Sequence, residues 1–92
     1  MHDVAATQTY NGWSNRETWL ASLWLNNDES SYRTLQRAYK HSSEDYARAD
    51  WLEETLRYQL GDEMSQGTMW GDLLSSAFNR ISWMEVIENN RP

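Results

Sequence analysis

Ser14-Asn15-Arg16-Glu17-Thr18-Trp19-Leu20-Ala21-Ser22-Leu23-Trp24-Leu25-Asn26 is the stretch on which the fold turns. Its opening has the form of a capping box: the Ser14 hydroxyl is placed to accept from the Glu17 amide, and the Glu17 carboxylate to reach back. A helix from about Asn15 to Asn26 follows. At 100° per residue, Trp19, Leu20, Ala21, Leu23, Trp24 and Leu25 cover most of its circumference, leaving a strip of Thr18, Ser22 and Asn26. A helix apolar nearly all round belongs in the middle of a bundle. The reading is therefore a small all-α bundle of four to five helices with this Trp-rich first helix at its centre.

Upstream, Tyr10-Asn11-Gly12-Trp13 reads as a turn, because Asn-Gly tolerates positive φ. Residues 1–9 lack large apolar side chains and are assigned to a flexible N-terminal arm, with room for a short strand near Thr7 to Tyr10. Residues 10–92 are assigned to a single helical domain, since two cores within 92 residues would each be too small to stand alone.

Downstream, Asn26-Asn27-Asp28 ends the first helix and caps a second, near Glu29 to His41, whose Tyr32, Leu35, Ala38 and Tyr39 share a face. Acids lead this helix (Asp28, Glu29) and bases trail it (Arg37, Lys40), as the helix dipole favours. Ser42-Ser43 breaks it and caps a third helix, from about Glu44 to Leu60, closed by Gly61. Ala49, Leu52, Leu56 and Leu60 form its apolar stripe, while Trp51 and Tyr58 stand together roughly 150° away. Asp62 to Gly67 is a polar loop. A fourth helix near Met69 to Arg80 carries Leu73, Leu74, Ala77 and Phe78, with Thr68 as its cap. Ser82-Trp83-Met84-Glu85 is a second capping box, with Ile81 and Val86 spaced for a hydrophobic staple. The last helix is short and is expected to fray at Asn89-Asn90-Arg91-Pro92.

Composition narrows the function classes. There is no cysteine, which removes disulfides and thiolate metal sites and suits a reducing cytoplasm. The start has no signal-peptide pattern, and no apolar run approaches the roughly 20 residues of a membrane helix. His2 and His41 lack short-spaced metal-ligating partners, no serine sits in Gly-x-Ser-x-Gly, and Gly67-Thr68-Met69-Trp70-Gly71 lacks the lysine of a phosphate loop. Neither an enzyme nor a cofactor is expected.

Six Trp and five Tyr accompany a single Phe. Core filling is the ordinary fate of such side chains. The formal charge is −6, and it is local: Ser42 to Asp72 holds eight acids and two bases, while the remainder cancels. Direct nucleic-acid binding is disfavoured, because phosphate neutralisation needs cations and only Arg33, Arg37 and Lys40 form a basic edge. The acidic third helix and following loop suit the opposite role, docking on a basic, nucleic-acid-handling protein. In that reading Asp50, Glu53, Glu54, Asp62 and Glu63 pair with its arginines and lysines, and Trp51 and Tyr58 anchor the contact. The alternative is a binder or sponge for a nucleotide signal, with Arg33, Arg37 and Lys40 on phosphate beside a Trp/Tyr-lined pocket. A third reading is a homo-oligomer in which Trp51 and Tyr58 meet their symmetry mates.

The run from Tyr10 to Trp19, continuing through Leu23-Trp24-Leu25-Asn26-Asn27-Asp28, resembles the opening of a family of short uncharacterised phage, plasmid and host proteins, of the form Tyr-Asn-Gly-Trp-x-Asn-x-Glu-Thr-Trp followed by Leu-Trp-x-x-Asn-Asp. The resemblance implies no catalytic residues. It implies a mobile-element setting, in which small acidic proteins resemble inhibitors of host defence of the anti-CRISPR or antirestriction type.

Overall fold

The computed structural model describes residues 12–92. The expected arm at 1–9, the strand segment at 7–10 and the first half of the Tyr10–Trp13 turn lie outside them. The turn's second half is seen: Gly12 has φ +92°, a conformation that costs glycine no Cβ clash. Five α-helices follow among the described residues, α1 (Arg16–Asn27), α2 (Glu29–His41), α3 (Asp45–Leu60), α4 (Met69–Arg80) and α5 (Trp83–Asn89), with a 3-10 turn at Glu63–Ser65 before α4. No β-strand occurs among the described residues, so the all-α bundle stands. No described helix is long and apolar enough to cross a membrane.

The polar residues between helices set the boundaries. The Asp28 carboxylate accepts from the Ser31 N–H (3.0 Å) and hydroxyl (2.9 Å), starting α2 with Asp28 alone between it and α1. Thr68 caps α4 by accepting from the Gly71 N–H at 2.9 Å. Gly61, at φ +65°, stops α3. The third helix starts at Asp45 without a side-chain cap of its own. Ser42 contributes one step away, its hydroxyl accepting from the Glu44 N–H at 3.0 Å.

The first capping box forms differently from the sequence expectation. Asn15, not Ser14, is the N-cap of α1, its side chain accepting from the Thr18 N–H at 2.8 Å. Ser14 is taken instead by Glu85 of α5, whose carboxylate accepts from both the Ser14 N–H (3.0 Å) and the Ser14 hydroxyl (2.6 Å). Glu17 turns to Arg80 at the end of α4 (3.2 Å). The second box keeps one half, Ser82 Oγ accepting from the Glu85 N–H at 3.3 Å. The Ser82 N–H donates to Thr18 Oγ1 at 2.9 Å.

This exchange reverses the orientation of α1. The helix is central, lying against α2, α4 and α5. Its inward face, however, is Thr18, Ser22 and Leu25, while Leu23 and Trp24 stand in solvent. The strip read as the exposed one is largely buried because the C-terminal segment supplies polar partners for it. Asn90 Nδ2 donates to Ser22 Oγ (3.0 Å) and the Val86 carbonyl (2.8 Å), and Asn90 Oδ1 accepts from Asn26 Nδ2 (2.8 Å). A buried hydroxyl left without such partners would cost about 1–3 kcal/mol, so α1 turns in the face that this segment can satisfy. The chain end is correspondingly not frayed: Arg91 also grips Asp45 at the start of α3.

The core is Leu25, Leu35, Ala38, Tyr39, Ala49, Leu52, Phe78, Trp83, Val86 and Ile87, with Leu56, Leu60, Met64, Ile81 and Trp51 packed against it. The expected α3 stripe and both staple residues are in place. Tyr32, read as part of the α2 inward face, is exposed, and Thr34 is buried in that helix. Full burial of Leu35, Leu52, Val86 and Ile87 contributes about 1.5–3 kcal/mol each.

Candidate partner-binding surface

Packing the Ala49–Leu60 stripe inward turns the opposite side of α3 to solvent. Asp50, Glu54 and Tyr58 follow one another at intervals of four and therefore form a single row along that side. All three are exposed, Tyr58 by 86%. Glu53 lies on the flank of the row and is tied to Arg57 at 3.0 Å, and the Arg57 guanidinium rests over the Phe78 ring at 4.8 Å. Its charge is thus answered within the chain.

Trp51 and Tyr58 share a face by angle but not by fate. The His41 ring stacks on Trp51 (centroids 5.6 Å apart, 25° between planes), and the indole packs against the core. Trp51 lies close to the connection from α2, where His41 reaches it, whereas Tyr58 lies about 10 Å farther along the helix. Tyr58 is the exposed aromatic of the pair. Asp62 and Glu63, at the 3-10 turn beyond α3, are exposed, as is Asp72 early in α4. Asp62 accepts from the Gln66 side chain at 3.4 Å. None of Asp50, Glu54, Asp62, Glu63 or Asp72 forms an ion pair with another described residue.

Other carboxylates are engaged in holding the fold. Asp45 is kept below the ordinary carboxylate range first by its hydrogen bond from Arg91, then by Arg48. Asp28 is lowered by the Ser31 N–H and then the Ser31 hydroxyl. Glu17 is lowered by its own backbone N–H and then by Arg80. Glu44 and Glu88 are also exposed and in no ion pair with a described residue, but the α3 row and the α3–α4 connection hold most of the exposed acids left without one.

A second surface was not legible in the sequence. Trp24 is 63% exposed and Trp70 72%, and Met69, Leu73 and Leu23 are exposed beside them in the chain. Trp24 of α1, Leu56, Gln59 and Leu60 of α3, and Leu74 and Phe78 of α4 line an apolar groove of about 580 Å³. On α4, Leu73, Ala77, Trp70, Leu74 and Phe78 span an arc of about 140°, of which only the Phe78 edge is buried. The clue in the sequence was the Ser/Asn-rich matching of α1 to the C-terminal segment. It marks the polar strip of α1 as the inward one and releases Trp24.

Arg33 is tied to Glu29 at 3.1 Å, and Arg33, Arg37 and Lys40 line neither this groove nor the smaller pockets along α1. Among the described residues, no group of three or more His, Asp or Glu is gathered to hold a metal ion. His2 lies outside them.

The chain belongs to a family of unknown function, DUF7249, which matches residues 6–90 and so takes in all five helices. Neither the curated proteins nor the solved structures gave a match.

Proposed function

For this member of a family without an assigned activity, we propose a non-enzymatic binding role, in which the outward side of α3 and the α3–α4 connection dock on a basic, nucleic-acid-handling protein and block or recruit it. The observation that carries the reading is the row Asp50–Glu54–Tyr58, exposed along its length and continued by Asp62 and Glu63. Carboxylates that form no ion pair with a described residue steer a basic surface into contact and then pair with its arginines. A phenol projecting among them supplies the aromatic anchor on which interfaces depend. Trp51 supports this surface from beneath by fixing α3 to α2, and Glu53 contributes through Arg57. Inhibition of host defence, of the anti-CRISPR or antirestriction type, is the finer form of the proposal, and the resemblance of the Tyr10–Asp28 run supports it.

The test is affinity capture from host cytosol at low and high salt, with wild type beside Asp50→Lys/Glu54→Lys. A partner that is basic, is retained only at low salt and weakens by about tenfold or more with the double variant supports the proposal. The variant should keep wild-type helicity by circular dichroism. Capture indifferent to both charge reversal and salt would overturn it.

A further inference from the structure

The groove between α1, α3 and α4 is lined by Trp24, Leu56, Gln59, Leu60, Leu74 and Phe78, and so by no charged group. We infer that it receives one amphipathic helix of a partner protein, apolar on its inserted side and flanked by lysine or arginine. The inference rests on the protein-binding reading above and assigns that partner a second, apolar point of entry. The lining repeats at helical spacing: Leu56 and Leu60 stand one turn apart on α3, Leu74 and Phe78 one turn apart on α4. Ridges of this kind accept the i, i+4 ridge of another helix.

Charge selects the occupant. Asp28 joins Trp24 in the pocket that adjoins the groove, and Asp62 and Glu63 follow closely on Leu60. The Arg57 guanidinium over Phe78 is already paired with Glu53. Asp28, whose carboxylate also caps α2, stands beside Trp24, and two acids follow Leu60 in the chain. A second copy of the chain would bring another −6 against them, whereas a cationic helix is drawn in. Trp24, more than half exposed, and Trp70, one turn before Leu74 on the same side of α4, are the aromatic contacts available to close over it.

The probe is a synthetic amphipathic Leu/Lys peptide of about 14 residues, about 21 Å as a helix, beside a Leu/Glu peptide with the same apolar face. Calorimetry and NMR shift mapping on the full chain supply the readouts. The Leu/Lys peptide is expected to bind, to shift the Trp24 indole N–H together with Leu60 and Leu74, and to lose about tenfold or more in affinity with Trp24→Gln. Asp50→Lys/Glu54→Lys, on the other side of α3, weakens the long-range attraction of the peptide, but the loss caused by Trp24→Gln should be the same within about twofold in that background as in wild type. Failure of the groove is thus separable from failure of the α3 surface, which the capture experiment reads. Equal binding of the Leu/Glu peptide, shifts confined to the Asp50–Tyr58 row, or a dimer that Trp24→Gln dissolves would each overturn the inference.

Discussion

At the scale of single residues, stability is concentrated in a few polar side chains that join distant parts of the chain. Thr18 is fully buried, and its Oγ1 is the acceptor for the Ser82 N–H. Thr18→Val preserves the volume and orphans that amide, so it should cost about 1–3 kcal/mol in urea denaturation, while Thr18→Ser, which keeps the acceptor, should cost less. Asp45 is a second junction: it meets Arg48 at 3.0 Å and is gripped by Arg91, and Arg48 in turn lies over the Tyr39 ring (5.3 Å), whose hydroxyl donates to the Ile87 carbonyl at 2.6 Å. Folding lowers the Asp45, Asp28 and Glu17 pKa values, so their contribution is fully present above the ordinary carboxylate range. As pH falls below about 4 the unfolded chain takes up protons more readily than the folded one, and that contribution is lost. Thermal unfolding followed from pH 6 down to pH 2 should show the midpoint dropping in this acid window, and Asp45→Asn should flatten the drop while lowering the midpoint at neutral pH.

At the scale of elements, α2, α3 and α4 could be placed from sequence almost to the residue because their ends are written in local chemistry: Asp28, Gly61 and Thr68 act on neighbours three residues away or fewer. The apolar stripe of α3 was legible for the same reason, since Ala49, Leu52, Leu56 and Leu60 leave one choice of inward side. The orientation of α1 was not. With apolar side chains nearly all round, its own pattern does not select a face, and the choice falls to Ser82, Glu85 and Asn90, some 64 to 71 residues away. That long-range choice also hid half of the candidate surface, because Trp24 reads as core until α1 is turned. The acidic row was legible as composition, but the separation of Trp51 from Tyr58 depended on where His41 comes to rest. A double-mutant cycle checks the reassigned caps. Ser14→Ala and Glu85→Ala should couple by about 0.5 kcal/mol or more, whereas Ser14→Ala and Glu17→Ala should be nearly additive. Coupling confined to Ser14 and Glu17 would restore the local capping box.

At the scale of the whole molecule, the tryptophans divide into those that hold the bundle together and those that the bundle presents. Trp83 is buried, its ring 5.3 Å from that of Phe78, and Trp83→Ala should cost about 3–5 kcal/mol. Trp24 and Trp70 are mostly in water, so Trp24→Gln and Trp70→Gln should move stability by about 0.5 kcal/mol or less. A chain of 92 residues that kept two large indoles exposed for no use would carry an association hazard, which argues that the exposure serves recognition. The clustered charge fits the proposed role: an excess of acids around the α3–α4 connection would oppose self-association and favour a basic visitor. Denaturation of the three variants, paired with peptide titration and with sedimentation over a concentration series, separates the two roles. Trp24→Gln should remain folded and sediment like wild type while binding fails. A large loss of stability in Trp24→Gln would instead make that indole part of the core and would remove the apolar groove from the recognition surface.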